Sequence, residues 1–237
     1  MMKLFLLIFT VFVSASFPLR GEVFLLRPLS RSSNTAAFPL SKTLPGLENS
    51  SPLLTEPVLI NGKRFSLEIY RSSARYEDMR QYLVSRGFHF AESGDTLRCT
   101  AQLSADTLER LLIVKSPGRG PATIFRISGS AGLPPVSAWP KDLPDLPPGS
   151  RPLQVIELPR RKSVYGAFDR TGSDAAGSFR QIDALLSGSG WRSAGKEASP
   201  LTGGNGDIYL HSRHKNILWV TLDNDGRGAF YCRKQTN

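Results

Sequence analysis

The chain has 237 residues, 40% hydrophobic and 21% charged, which is enough apolar material for one or two globular domains. Its 2 cysteines allow one bridge at most, so a disulfide scaffold is excluded. The net charge of +10 favours acidic partners such as nucleic acid, anionic headgroups or envelope polymers.

Residues 1–16 read as a secretory signal peptide. Lys3 precedes the apolar run Leu4 to Val13, and small residues follow, with cleavage after Ala15 or Ser16. That run is too short to cross a ~30 Å hydrocarbon core as a helix. An uncleaved anchor is the alternative; the expected address is exported, periplasmic or secreted. Residues 17–57 are rich in Ser, Pro and Thr without a sustained period, so they read as a tether with a short strand at Glu22 to Leu26.

Residues 58–130 carry a strand pattern from Arg64 to Tyr70, then Tyr76, Met79 and Leu83 at the spacing of an amphipathic helix. Ser73 lies where a hydroxyl could cap that helix. Gly87 supplies a helix stop, and Phe88 can fold back onto the helix. Leu97, Cys99, Ala101 and Leu103 then alternate as a strand. The leucines of "SADTLERLL" predict at most one helical turn before a strand from Leu111. The glycines of Gly118 to Gly120 predict a hairpin turn.

Residues 131–153 hold seven prolines between Pro134 and Pro152, which predicts a stiff, extended linker with Trp139 packed on a neighbouring domain. Residues 154–237 repeat the earlier pattern. A strand runs from Ser163 to Phe168; Phe179, Ile182 and Leu186 form the helical stripe, with Ser173 near its start. Gly190 and Trp191 answer Gly87 and Phe88, and a second Gly-Arg-Gly spans Gly226 to Gly228. The expected fold is α+β: two tandem β-α-β-β-β modules, each one helix packed on an antiparallel sheet, joined by the Pro-rich linker. Cys99 and Cys232 would either bridge or point into separate cores.

The stretch from Ser163 to Trp191 resembles the opening of a SPOR domain, a peptidoglycan-binding unit of bacterial envelopes: strand, Gly-x-Phe turn, helix, Gly-aromatic. The following residues depart from it, with three strand patterns where a second helix belongs. No binding residue is carried over.

Chemical motifs are incomplete. Gly190 to Glu197 has a phosphate-loop skeleton, but Glu197 replaces the magnesium-binding hydroxyl and the segment follows a helix. Asp223 to Gly228 lacks the closing glutamate of a calcium loop. Ser193 and Lys196 have acyl-enzyme spacing without companion motifs. His211 and His214 stand three apart with no nearby cysteine. No catalytic, cofactor-binding or metal-binding residue is assigned, and no cofactor is expected. Arg160, Arg161 and Lys162, with Arg213 and Lys215 close to Tyr209 and Trp219, form a candidate polyanion-binding set; the competing reading is solvated strand edges guarded by charge. The functional expectation is an exported, non-enzymatic binding or scaffolding protein of the bacterial envelope. The alternatives are a polyanion or peptidoglycan binder, and a hydrolase with a site between the modules. Its partner would be an envelope polymer or another envelope protein, with nucleic acid disfavoured.

Overall fold

A computed structural model describes residues 39–93, 95–104, 106–116, 120–170, 175–194, 205–222 and 227–234. The signal segment, the strand expected at Glu22 to Leu26, Ser173, Gly118 and Arg119 of the first Gly-Arg-Gly and Gly226 of the second lie outside the described residues; Arg227 and Gly228 of the second open the last strand.

The strands are β1 (Leu54–Ile60), β2 (Lys63–Arg71), β3 (Phe90–Ser93), β4 (Thr96–Ser104), β5 (Thr107–Val114) and β6 (Thr123–Ser130). They continue with β7 (Ser150–Leu158), β8 (Ser163–Arg170), β9 (Trp191–Ser193), β10 (Asn205–His211), β11 (Ile217–Leu222) and β12 (Arg227–Arg233). Helices α1 (Tyr76–Ser85) and α2 (Ala175–Gly188) interrupt them, and Leu40–Thr43 makes a single helical turn. The hydrogen-bonded order is β3-β4-β5-β6-β2-β1-β7-β8-β12-β11-β10-β9, one sheet of 12 strands.

The expectation of two tandem β-α-β-β-β modules, each with a sheet of its own, is therefore wrong. The error lies in residues read as tether and connector. Leu54–Ile60 is a strand, and Asn61 and Gly62, at φ 51° and 80°, turn it into β2. Positive φ at both central residues is the signature of a type I′ hairpin, which Asn-Gly favours. Leu59 then pairs with Glu157, and Ile60 with Ile156, on β7. The ladder does not stop at a module edge.

The described residues divide into two compact units, the first within 39–58 and 64–133 and the second within 59–63 and 134–234. In the first unit, Tyr76, Met79 and Leu83 of α1 bury against Leu97, Cys99, Leu111, Ile113 and Ile124, with Leu44 and Leu47 beside them. Each such side chain contributes roughly 1.5–3 kcal/mol of burial. The helix start is capped through Arg75 and not Ser73: the Arg75 backbone N–H donates to Asp78 Oδ2 at 3.1 Å. At its exit Gly87 takes φ 68°, and the Phe88 N–H donates to the Leu83 carbonyl at 2.9 Å.

β5 begins at Thr107, with no helical turn between Asp106 and Leu111. Leu111 and Ile113 face α1, while Leu112 is buried on the opposite face. Burial on both faces writes a continuous apolar run, which removes the alternation that marks a strand and leaves leucine spacing that mimics a helix.

The α1 side of this sheet carries an ion network centred on the buried Glu109. Arg126 Nη1 meets Glu68 Oε2 at 2.7 Å and its Nε meets Glu109 Oε1 at 2.6 Å, with the Glu109 side chain 0% exposed. Burial disfavours the charged guanidinium, but bonds and charge from Glu68 and Glu109 outweigh it and hold Arg126 above its ordinary value. Tyr70 donates its hydroxyl to Glu68 at 2.5 Å; burial and that bond push the phenol up to about 12. Removing one partner of such a buried set costs far more than the set is worth in net stability. Arg126→Met is expected to destabilise the protein by about 3–5 kcal/mol in urea unfolding.

In the second unit, Ile182 and Leu186 of α2 pack on Phe168, Tyr209, Leu218, Val220, Phe230 and Cys232. The Pro-rich stretch adds to this core. Trp139 stands edge-on to Phe168 and Phe230, with centroids at 6.3 and 6.4 Å, and donates its indole N–H to the Pro144 carbonyl at 2.8 Å. Gly166 permits the approach: a Cβ there would lie 2.5 Å from the Trp139 ring. The Asn61 side chain anchors the hairpin tip, accepting from the Val155 N–H at 2.8 Å and donating to the Pro134 carbonyl at 2.6 Å. Cys99 and Cys232 are both free and belong to different core clusters. Burial pushes their thiols up to about 12 and about 11.

Candidate functional site

Antiparallel register decides where the basic residues of the second unit gather. Leu158 pairs with Ser163, Ser163 with Arg233, Arg233 with Ile217, and Ile217 with Leu210. The connection from β7 to β8, the end of β12 and the connection from β10 to β11 therefore share one end of the sheet. Adjacent strands are about 4.8 Å apart, so the two connections stand roughly 15 Å from each other along that end.

The β7–β8 connection is a 3-10 turn, Pro159–Arg161, closed by Lys162 at φ 50°. Pro159 suits the first position of the turn because it lacks an N–H to satisfy. The turn exposes Arg160 and Lys162, while Arg161 is half-buried. The Lys234 N–H donates to the Lys162 carbonyl at 3.0 Å, which ties the end of β12 to this turn. The Lys234 ammonium meets Asp142 Oδ1 at 2.7 Å.

The β10–β11 connection, residues 212–216, is built around His211. The N–H groups of Arg213 and His214 donate to His211 Nδ1 at 3.2 and 3.3 Å. An acceptor at Nδ1 places the ring proton on Nε2. The His214 ring stacks on His211 at 4.6 Å, and Trp191 meets His211 edge-on at 4.9 Å. The Ser212 N–H donates to the Gly190 carbonyl at 3.2 Å, where Gly190 at φ 86° ends α2. The histidines thus shape a turn that holds Arg213 and Lys215 in solvent. Among the described residues no carboxylate bonds either imidazole, and no group of three His, Cys, Asp or Glu side chains is placed to hold a metal.

All five residues of the expected polyanion set, Arg160, Arg161, Lys162, Arg213 and Lys215, stand at this end of the sheet. Arg160, Lys162, Arg213 and Lys215 have no carboxylate within ion-pair reach among the described residues. The aromatic residues first associated with them divide. Tyr209 is 0% exposed in the core, where its hydroxyl donates to Asp183 Oδ1 at 3.0 Å; burial, then that bond, raises its pKa. Trp219 lies on the other sheet face, half-buried, 5.3 Å from the Tyr231 ring.

Sequence reasoning passed over Arg192, Arg233 and Lys234. Cross-strand pairing sets Arg192 beside Leu210, Leu210 beside Ile217, and Ile217 beside Arg233, in one row on that outer face. Leu210 is 47% exposed. The next row is Ile208, Trp219, Tyr231 and Tyr165. Burial raises the Tyr231 phenol, while the charges of Arg233 and Arg161 pull the other way. The strand alternation of β12 placed Arg233 beside these aromatics, and that signal was present in the sequence.

Comparison with known proteins yields no matching family model, no matching curated protein and no matching solved structure.

His211→Phe keeps an aromatic ring for the stack but removes the acceptor of two N–H groups. Expected results are a loss of about 1–2 kcal/mol in unfolding free energy and faster hydrogen exchange at the amides of Arg213 and His214.

Proposed function

We propose that the protein is a non-enzymatic binding protein that holds an anionic polymer across the basic end of its second unit. One observation carries this reading: three segments distant in sequence, around Arg160, Arg213 and Arg233, are brought to one end of one sheet by strand register. Local charge runs on a solvated edge need no such convergence. The spacing of roughly 15 Å between the two connections suits an extended chain of repeating negative charges better than a single small anion. The exposed Leu210 and the half-buried Trp219 and Tyr165 offer apolar contact beside the charges, as surfaces that hold flexible polyanions do.

The setting we assign is the exterior of a bacterial cell or its envelope. Lys3 and the apolar run to Val13 support export, and envelope polymers there are acidic. Peptidoglycan and anionic surface polysaccharide are the ligand class.

The test is retention of the mature chain on immobilised anionic polysaccharide over a salt gradient. Exposed charge contacts are worth about 0.2–1 kcal/mol each, so the five together carry roughly 1–5 kcal/mol. A variant with Arg160, Arg161 and Arg213 changed to Gln, and Lys162 and Lys215 changed to Asn, removes them. Asn suits the two lysine positions because both take positive φ, 50° and 51°. The variant should bind about fivefold or more weakly at low salt and elute early. Binding that survives this change intact, or that ignores salt, would count against the proposal.

A further inference from the structure

A second cationic feature lies in the first unit, on the sheet face turned away from α1. The register of β3 to β6 sorts the side chains. Leu97, Cys99, Ala101, Glu109, Leu111, Ile113, Ile124 and Arg126 share the face of the helix. Arg98, Thr100, Arg110, Leu112, Phe125 and Ile127 share the other. Thr100 is directly opposite Arg110, and Arg98, two residues from Thr100, is the diagonal neighbour of Arg110. Diagonal neighbours are about 7–8 Å apart, within reach for long side chains converging on one group.

Arg110 is 6% exposed, and its Nε and Nη1 are buried with no hydrogen-bond partner. The Nε of Arg98 is buried in the same condition. A guanidinium does not shed its proton to escape this; it stays charged and needs an acceptor. The strands β2 to β6 themselves hold three acids, Glu68, Glu92 and Glu109, and all are on the helix side. Glu68 and Glu109 bond Arg126, and Glu92 bonds Arg80 and Tyr76. Glu56, the buried acid of β1, has an interaction of its own. Burial alone lowers the pKa of Arg110, with no carboxylate opposing it. Arg126 shows what this fold does with a half-buried arginine whose partner is in the chain: it supplies two carboxylates within 3 Å. For Arg98 and Arg110 the described residues supply none.

We propose that Arg98 and Arg110, with the Thr100 hydroxyl between them, form a binding site for an oxyanion, a carboxylate or a phosphate group, on this face of the first unit. The site is separate from the basic end of the second unit and does not depend on it. Arginine is suited to both anions because its planar fork gives two parallel N–H bonds to two oxygens. The buried setting limits the ligand to a small anion or the terminal group of a larger one.

Thermal unfolding of the full mature chain tests the site, with chloride, acetate and inorganic phosphate compared at equal ionic strength. A ligand that binds only the folded state raises the midpoint with its concentration, by roughly 5–10 °C at about 100 times Kd for a chain of this size. Saturable stabilisation by phosphate identifies a phosphate site, and stabilisation by acetate a carboxylate site. Arg110→Met should unfold no lower than the parent in chloride, because it deletes a buried unpaired charge, and should lose the gain from the anion. Arg98→Gln should weaken the gain several-fold, whereas the five-residue variant of the basic end should keep it. If neither anion stabilises beyond chloride, or if Arg110→Met retains the full effect, the proposal is overturned.

Discussion

Strand register in the second unit governs everything that follows at its surface. One set of alternate residues on β8, β11 and β12 is apolar enough to be driven against α2: Phe168, Leu218, Val220, Phe230 and Cys232. A slip of one residue would turn that entire set to solvent, so the register is fixed by the core and not by the loops. Once it is fixed, the ends of the strands are fixed, and so is the meeting of the turns at Pro159 and His211 with the end of β12. The surface charge arrangement is a by-product of packing on the reverse side of the sheet. A core change at Phe168 or Phe230 would therefore be felt at the basic residues without touching them.

Three of the environments that arginines occupy in this chain differ in energetics. Arg126 is half-buried and compensated by two carboxylates, so its removal disturbs a set whose members depend on one another. Arg160 and Arg213 are exposed, cost nothing to solvate and matter through a field that salt screens. Arg98 and Arg110 have buried nitrogens without compensation. Of these, Arg110, 6% exposed, holds a charge in a buried setting that nothing described in the chain offsets. A net charge of +10 hides this division, because a charge count gives every arginine the same weight.

Much of the local structure was legible. The stripe of Tyr76, Met79 and Leu83, the glycine exits at Gly87 and Gly190, and the alternation around Cys99 and Cys232 follow from side-chain period and from the freedom of glycine at positive φ. The sheet topology was not. Asn61-Gly62 is a strong hairpin signal, yet the proline of Leu54–Ile60 and the Ser-rich residues before it masked the strand that it closes. Proline density likewise suggested that residues 131–153 were a spacer. Trp139 packs on the second unit's core, in line with the packing expected of it, and Leu143 and Leu146 join it there. Proline dictates local backbone shape, and it is silent on whether the side chains between prolines have a surface to cover. At the candidate site the charged residues could be named from sequence, since clusters of Lys and Arg are visible in one dimension. Their convergence could not, because it depends on pairings between strands far apart in the chain. The isolation of Arg98 and Arg110 was invisible for the same reason: pairing decides which acids share their face.

The bond from the Lys234 amide to the Lys162 carbonyl fixes where the polypeptide leaves the described fold. It does so at the middle of the basic end. A fluorophore or surface-attachment group coupled to the Lys234 side chain would stand beside Lys162 and obscure the surface under assay. Labels for binding work belong on a solvent-facing residue of the first unit.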